Sequence, residues 1–546
     1  MKSLDIMQIS SLEKFRGRYD DLKTIEELNI LRDEEFSYQL VCHAETDEMF
    51  ERVVAEVIVE TDIKGSTEIS LVKNVPVEMP VYPGIFDEEY LSIEPGLFPD
   101  VLIPLEDNKF ELVSGIPYTL WIDVKPAVNN CAGIHKIKII VKESSGQETT
   151  KEITINIAEQ KLAPQKLIFT QWVHYDCIAN AHRMKMFSEE YWNVMEKYIE
   201  AAANNGINMI LTPVFTPPLD TEIGGERRTA QLVEIYKNEN NYRFGFEKLK
   251  RFTDICLKYN IKYFEMPHLF TQWGAEATPK IIAHTEKGIE KIFGWEVSAD
   301  SEEYQRFLAV FLPELVKFYD QQGLSDKIYF HISDEPTEKN KQAYQSAKEK
   351  VKPYINGCKI IDALSDYSFY SEGIVENPVA AIDFIHDFLD HDVKPWAYYC
   401  CGQTKEVCNR FIAMPSRRNR MLGIIMYKYN IEGFLHWGFN FYNSYLSKRA
   451  IDPYCITDAD YNFPAGDAFS VYPYKDGVAE SLRIKVFYEA LQDMQALTVL
   501  ENKIGRSAVV KLIDDTAGKE VTFKDYPHCD EYIFELRKKI NLLLKG

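Results

Sequence analysis

Downstream of Leu162-Ala163-Pro164, short apolar runs alternate with long amphipathic segments, and this constrains the fold more than any other feature. The runs fall at 167–173, 208–214, 263–266, 328–332, 359–364, 380–385, 395–400 and 433–437. Helical candidates fill most gaps, at 189–204, 246–258, 302–320, 339–351 and 417–429. Such alternation argues for βαβ units on a parallel sheet. Eight candidate strands fit a (β/α)8 TIM barrel. An open doubly wound sheet is the alternative. No G-x-G-x-x-G and no G-x-x-x-x-G-K-[ST] occurs, so the dinucleotide and P-loop fingerprints are both missing.

Residues 1 to about 160 read differently. Segments 52–61, 111–124 and 134–141 are short and β-branched, and turn-rich stretches at 82–84, 94–100 and 142–147 separate them. Ile134–Val141 alternates apolar and polar side chains, as a half-buried strand should. This spacing suggests a β-sandwich. The first 30 or so residues are less clear and leave room for a helix. Apolar residues recur at helical spacing over 480–501, and 532–544 is a further helix candidate. The reading divides the chain into an N-terminal β-sandwich (1–160), a (β/α)8 catalytic barrel (161–505) and a C-terminal helical extension (506–546).

Charge and cysteines narrow the function classes. The 84 acidic and 62 basic residues leave a formal charge of −22, which repels phosphate backbones and anionic lipid. No nucleic-acid partner is expected. No run of about 18 apolar residues occurs, so no membrane insertion is expected either. The opening MKSLDIMQISSLEKF interrupts its apolar residues with polar ones, unlike a signal peptide, and points to a cytoplasmic location. Ten scattered cysteines show neither C-x-x-C nor zinc spacing and are expected to be reduced, with no metal and no cofactor.

Chemistry in a barrel gathers at the C-terminal strand ends. Those ends carry His174 and Asp176, Glu265 and His268, Asp334 and Glu335, Asp366, Trp396 and Tyr398, and Trp437 with Asn440. Carboxylates beside large aromatics suit a sugar site. Asp334-Glu335-Pro336 is the most informative step. Neighbours on a regular strand point to opposite sides, so both acids can face one site only where the strand ends and turns. Close pairing should raise one pKa and leave the other acid ionised, as a general acid beside a charged helper requires. Ordinary glycosidases place two carboxyls on opposite faces of the scissile bond, about 5–5.5 Å or 6.5–9.5 Å apart. Adjacent acids suit substrate-assisted hydrolysis better, in which the substrate's own 2-acetamido oxygen attacks the anomeric carbon.

F-H-I-S-D-E-P (330–336), P-S-R-R-N-R-M-L-G (415–423), I-E-G-F-L-H-W-G-F-N-F-Y (431–442), G-D-A-F-S-V-Y-P (466–473) and S-L-R-I-K (481–485) together resemble glycoside hydrolase family 123. P-G-L-F-P-D-V-L-I-P (95–104) and L-W-I-D-V (120–124) extend the resemblance into the N-terminal part. It implies a β-sandwich, a (β/α)8 barrel and a retaining, metal-free, substrate-assisted β-N-acetylgalactosaminidase acting on β-GalNAc-terminated glycans such as those of glycosphingolipids. It assigns Asp334 to orienting the acetamido group and Glu335 to acid/base catalysis. From position alone, Trp396, Tyr398 and Trp437 are candidate substrate-binding walls, and His174, Asp176, His268 and Asn440 candidate hydroxyl contacts. Asp467 reads as fixing the Gly466 turn, and Arg417, Arg418 and Arg420 as a solvated face. Two other readings stay open: another hexosaminidase or conventional glycosidase using a distant carboxylate such as Glu265 or Asp366, and a non-catalytic glycan-binding protein. Oligomeric state is not legible.

Overall fold

The computed structural model describes residues 3–19, 22–46, 50–144, 146–239, 241–272, 274–355 and 357–545. The N-terminal strands are β1 (Ser3–Ser10), β2 (Glu27–Ile30), β3 (Phe36–Glu45), β4 (Arg52–Thr61), β5 (Gly65–Val77), β6 (Gly96–Pro104), β7 (Lys109–Val113), β8 (Pro117–Pro126), β9 (Gly133–Glu143) and β10 (Glu148–Ile157). They form two five-stranded sheets, ordered β1-β3-β8-β5-β6 and β2-β10-β9-β4-β7. Leu40, Leu120 and Ile122 of the first sheet share one core with Val57, Ile139 and Ile155 of the second. The alternation in β9 explains this: Ile137, Ile139 and Val141 point inward while Lys136 and Lys142 stay exposed.

Two expectations change here. The opening residues are strand, not helix: Ser3–Ser10 pairs antiparallel with β3, from Ser3↔Glu45 to Ser10↔Tyr38, and buries Leu4 and Ile6. The stretch 94–100, read as turn, is strand from Gly96 onward. Gly96–Pro104 pairs with β5 across an irregularity at Lys73/Asn74.

The barrel follows. Its strands are separated by helices and by a small inserted sheet. In chain order the elements are β11 (Ile168–Gln171), α1 (Tyr175–Ala181), α2 (Glu189–Asn204), β12 (Met209–Leu211), β13 (Glu234–Asn238), β14 (Asn241–Gly245), α3 (Glu247–Lys258), β15 (Tyr263–Glu265), β16 (Ile281–Thr285), β17 (Gly288–Phe293) and α4 (Glu302–Asp320). Then come β18 (Ile328–Phe330), α5 (Lys341–Val351), β19 (Lys359–Leu364), α6 (Ser368–Ser371), β20 (Asn377–Ala381), α7 (Ile385–Leu389), β21 (Trp396–Tyr398), α8 (Ser416–Lys428) and β22 (Gly433–His436). Strands β11, β12, β15, β18, β19, β20, β21 and β22 close into one barrel, all neighbours parallel. The eight expected strands therefore all form. The sixth begins three residues earlier than its apolar run. Ser188 and Ser301 cap α2 and α4 by accepting the backbone N–H of Tyr191 and Tyr304.

A hairpin, β23 (Val471–Tyr474) and β24 (Gly477–Glu480), leads into the long helix α9 (Leu482–Ile504). The ring of Phe487 on α9 lies 4.8 Å from Phe169 and 5.2 Å from Phe434, covering the seam between β11 and β22. Helices α10 (Arg506–Ala517) and α11 (Asp530–Lys545) complete the chain. Asn541 of α11 donates to Ile30 O, and Arg537 pairs with both Glu34 and Asp493. Among the described residues no helix is long and apolar enough to cross a membrane.

Buried charge joins sandwich to barrel. Arg417, Arg418 and Arg420 are not a solvated face: they pair with Glu89, with Asp87, and with Glu489 and Asp493. Arg483 at the start of α9 makes two 2.8 Å bonds to Asp100 of β6, and neither side chain is more than 1% exposed. Asp100→Ala would leave the guanidinium buried without its counter-charge. The variant is expected to lose about 3–5 kcal/mol of stability, read as a lower midpoint in urea unfolding. An unchanged midpoint would show that the pair contributes nothing net.

Candidate active site

Beyond β18 the chain stays extended through His331-Ile332-Ser333, held by Leu269 N–H on His331 O and Phe270 N–H on Ile332 O. At Glu335 the backbone turns to φ 41°, a conformation that a residue with a β-carbon adopts only at a cost. That turn breaks the strand's alternation, so Asp334 and Glu335 both line one cavity of about 240 Å³ at the C-terminal end of the barrel. Trp172, Tyr398, Trp437, Tyr445 and Phe463 supply its rings; Asp220, Gln272, Cys400 and Cys401 add polar groups.

The acids are not equivalent. Tyr398 donates its hydroxyl to Glu335 Oε1 at 2.8 Å. Among the described residues no hydrogen bond holds Asp334; His268 Nε2 stands 3.9 Å from its Oδ1. Burial lifts Asp334 well above the usual carboxylate range, and the charge of Glu335 lifts it further. Burial also raises Glu335, partly offset by the Tyr398 hydrogen bond. The pair thus retains a proton where an exposed carboxylate would be ionised. With only Glu335 receiving a donor, that proton is favoured on Asp334. Across the cavity, burial pushes Asp220 up to about 6.

Below the cavity runs a buried polar chain. Glu265 accepts from Thr170, from Trp172 Nε1 at 3.2 Å and from His331 Nε2 at 2.9 Å. His331 Nδ1 faces Asp362 at 3.3 Å, and Asp362 also takes the Tyr344 hydroxyl and the Ile332 N–H. Burial alone would lower the His331 pKa, but the hydrogen bonds to Asp362 and Glu265 outweigh it and lift the imidazole to about 9. His268, His331 and Asp362 each bring a possible metal-ligand atom to within 4.8 Å of one another. Both His331 nitrogens are already engaged by carboxylates, so the arrangement suits a held proton, with His268 beside it.

The other expected site residues divide by location. Tyr398 and Trp437 line the cavity. Trp437 is fixed by its indole N–H on Asp467 Oδ2 at 2.9 Å, so Asp467 orients a wall rather than serving only its turn. Trp396 lies elsewhere. It points inward like Tyr398 but sits two residues lower, about 6–7 Å down the strand. There it packs 5.7 Å from Tyr329 and directly against Gly433, where any β-carbon would collide with the indole. His174, Asp176 and Asn440 are buried behind Trp437. Asn440 bonds both His174 N–H and O, His174 Nε2 meets Trp437 O at 2.9 Å, and Asp176 holds Arg227 through two bonds. They clasp three strand-end loops together. His268 is 1% exposed and stands behind Asp334. Of the alternative carboxylates, Glu265 is fully buried and engaged, while exposed Asp366 caps Ser368 N–H. Neither lines the cavity. Sequence reasoning missed Asp220 and Gln272, which sit in loops past their strands, and Tyr445 and Phe463, which lie 9 and 27 residues beyond the end of β22.

Comparison with known proteins supplies the context. The sequence model of the glycoside hydrolase 123 catalytic domain matches residues 172–500, more than half of the chain. A family 123 glycoside hydrolase from Clostridium perfringens, studied for glycolipid glycan hydrolysis, superposes with a TM-score of 0.74. The match covers 100% of this chain and 99% of that one at 14% identity, so it speaks for the fold. A GH5 xyloglucanase from Bacteroides ovatus (TM-score 0.29, 9% identity, 90% of this chain and 100% of that one) is too distant to carry an argument. The same holds for a glycoside hydrolase of unassigned activity from Bacteroides vulgatus (0.32, 12%, 87% and 79%). No curated protein matches the chain.

Proposed function

The chain belongs to glycoside hydrolase family 123, and from that premise we propose that it is a retaining exo-β-N-acetylgalactosaminidase working by substrate assistance on its barrel of (β/α)8 type. One observation carries this reading: Asp334 and Glu335, neighbours in sequence, open onto the same cavity. The terminal β-linked GalNAc sits among the rings of Trp172, Trp437 and Tyr398. The acetamido N–H donates to Asp334. That hydrogen bond favours the ionised form of Asp334, and the shared proton passes to Glu335. Substrate binding thereby loads the general acid.

Glu335 then gives its proton to the glycosidic oxygen while the acetamido carbonyl oxygen forms a bond to C1 and the aglycone leaves. Positive charge spreads over the resulting oxazolinium ring, and the Asp334 carboxylate faces it. In the second half, the Glu335 carboxylate takes a proton from water, whose oxygen attacks C1 and reopens the ring. Two inversions give net retention. The substrate class is a glycan ending in β-GalNAc, such as a glycosphingolipid oligosaccharide.

The test is a comparison of 4-nitrophenyl β-GalNAc, β-GlcNAc and β-galactoside. Release from β-GalNAc with none from the galactoside is expected, since the galactoside lacks the internal nucleophile. The GlcNAc arm reads the C4 preference. A second reading rests on Asp220, a carboxylate in the same cavity with a raised pKa. If the galactoside is cleaved, a conventional two-carboxylate mechanism using Asp220 replaces the first.

A further inference from the structure

One buried group in this site lacks what its burial demands, and it stands beside a half-buried carboxylate. The His268 ring is 1% exposed, yet among the described residues neither of its nitrogens has a hydrogen-bond partner. A buried N–H left unpaired is costly, so the site gains from any partner that comes within reach of it. Asp334, the acid that must orient the acetamido group, is held by no hydrogen bond among the described residues. The two face each other, His268 Nε2 to Asp334 Oδ1, at 3.9 Å. A carboxylate rotation closing the gap by about 1 Å makes a normal hydrogen bond. Catalytic hydrogen bonds are often long in an empty site and tighten only in the complex.

From this geometry we infer that His268 is the positioning residue for Asp334. Its Nε2–H closes on Oδ1 when substrate binds, leaving Oδ2 aimed at the acetamido N–H. The inference rests on the substrate-assisted reading above.

The surroundings support the role. The Trp172 ring stands edge-on to His268 at 5.3 Å and 80°, and the His331 ring lies over it at 4.6 Å. His268 therefore cannot turn away. Burial and the adjacent His331 cation both push its pKa well below the usual imidazole value, so it stays neutral. Neutrality matters here. An imidazolium would cancel the Asp334 charge that the oxazolinium needs, whereas a neutral N–H orients the carboxylate and leaves its charge intact. The effect is then stronger in the transition state than in the ground state, which is what raises kcat.

The experiment compares His268→Phe, His268→Gln and His268→Asn with the wild-type enzyme on an aryl β-GalNAc, and measures inhibition by the GalNAc-derived thiazoline, a stable mimic of the intermediate. Phe keeps the ring and loses the donor. Its kcat is expected to fall about 10–100-fold with KM changed less than about 2-fold. Thiazoline affinity should weaken in parallel with kcat/KM. Gln places an amide N–H near the Nε2 position and should recover most of the loss, while Asn is too short and should not. If Phe fails to fold, the Gln/Asn contrast decides alone. A folded Phe variant with kcat near wild type, equal rates for Gln and Asn, or a loss confined to KM would each overturn the assignment. The last result would mean that His268 serves ground-state binding rather than the transition state. A wild-type enzyme that ignores the thiazoline would sink the substrate-assisted reading itself, and the His268 assignment with it.

Discussion

Glu335→Gln should reduce turnover of a natural β-GalNAc glycan by about 10²–10⁴-fold, the range a general acid–base residue contributes. A sugar alcohol is a poor leaving group and cannot depart without a proton, which the proposed mechanism assigns to Glu335. The same variant should lose much less on 4-nitrophenyl β-GalNAc, because nitrophenolate leaves unprotonated and only the water-activating half-reaction suffers. The signature is therefore a ratio: the glycan rate falls further than the aryl rate. Equal losses on both would mean that Glu335 does not protonate the leaving group. The fold should survive, since Gln is isosteric and can still accept the Tyr398 hydroxyl.

Asp334→Asn should show the opposite pattern. Asn can still accept the acetamido N–H through its amide oxygen, but it brings no negative charge to the oxazolinium. Loss of one well-aimed electrostatic group in a buried site amounts to about 10²–10³ in kcat. Because the intermediate is the same whatever group departs, glycan and aryl substrates should suffer alike. A leaving-group-dependent loss would give Asp334 a share of the acid's work and argue against separate roles. Together, the two variants resolve adjacent carboxylates by their response to the leaving group.

How much of this was legible in the residues depends on what each residue has to satisfy. The eight barrel strands could be read because strands buried on both faces leave apolar runs, as in Ile328-Tyr329-Phe330. The inserted sheet of β13, β14, β16 and β17 could not, because Glu234–Asn238 and Asn241–Gly245 are half polar and carry no run. Asp334 and Glu335 stood out because Pro336 closes their strand. Trp396 shows the limit of that reasoning: period-2 alternation says which way a side chain points, not how high it sits along the barrel axis. His174, Asp176 and Asn440 were correctly placed near strand ends, but whether a polar side chain there turns to the cavity or to its neighbours depends on partners such as Arg227. Arg227 comes from a different loop, and nothing local in the sequence pairs it with them.

The loop between β5 and β6 packs against the segments that carry part of the cavity wall. Met79 N–H bonds Asp458, Tyr82 OH bonds Asn462 O, Leu91 N–H bonds Ala413 O, and Asp87 grips Arg418. Segments 400–415 and 457–467, which carry Cys400, Cys401 and Phe463 of the cavity wall, are thus buttressed from outside the barrel. The working end is a joint construction: the cavity belongs to the barrel, and its bracing comes from the N-terminal sheets. Cutting the gene at the start of the barrel would keep every reacting group and remove the scaffolding that holds one wall of the pocket in place.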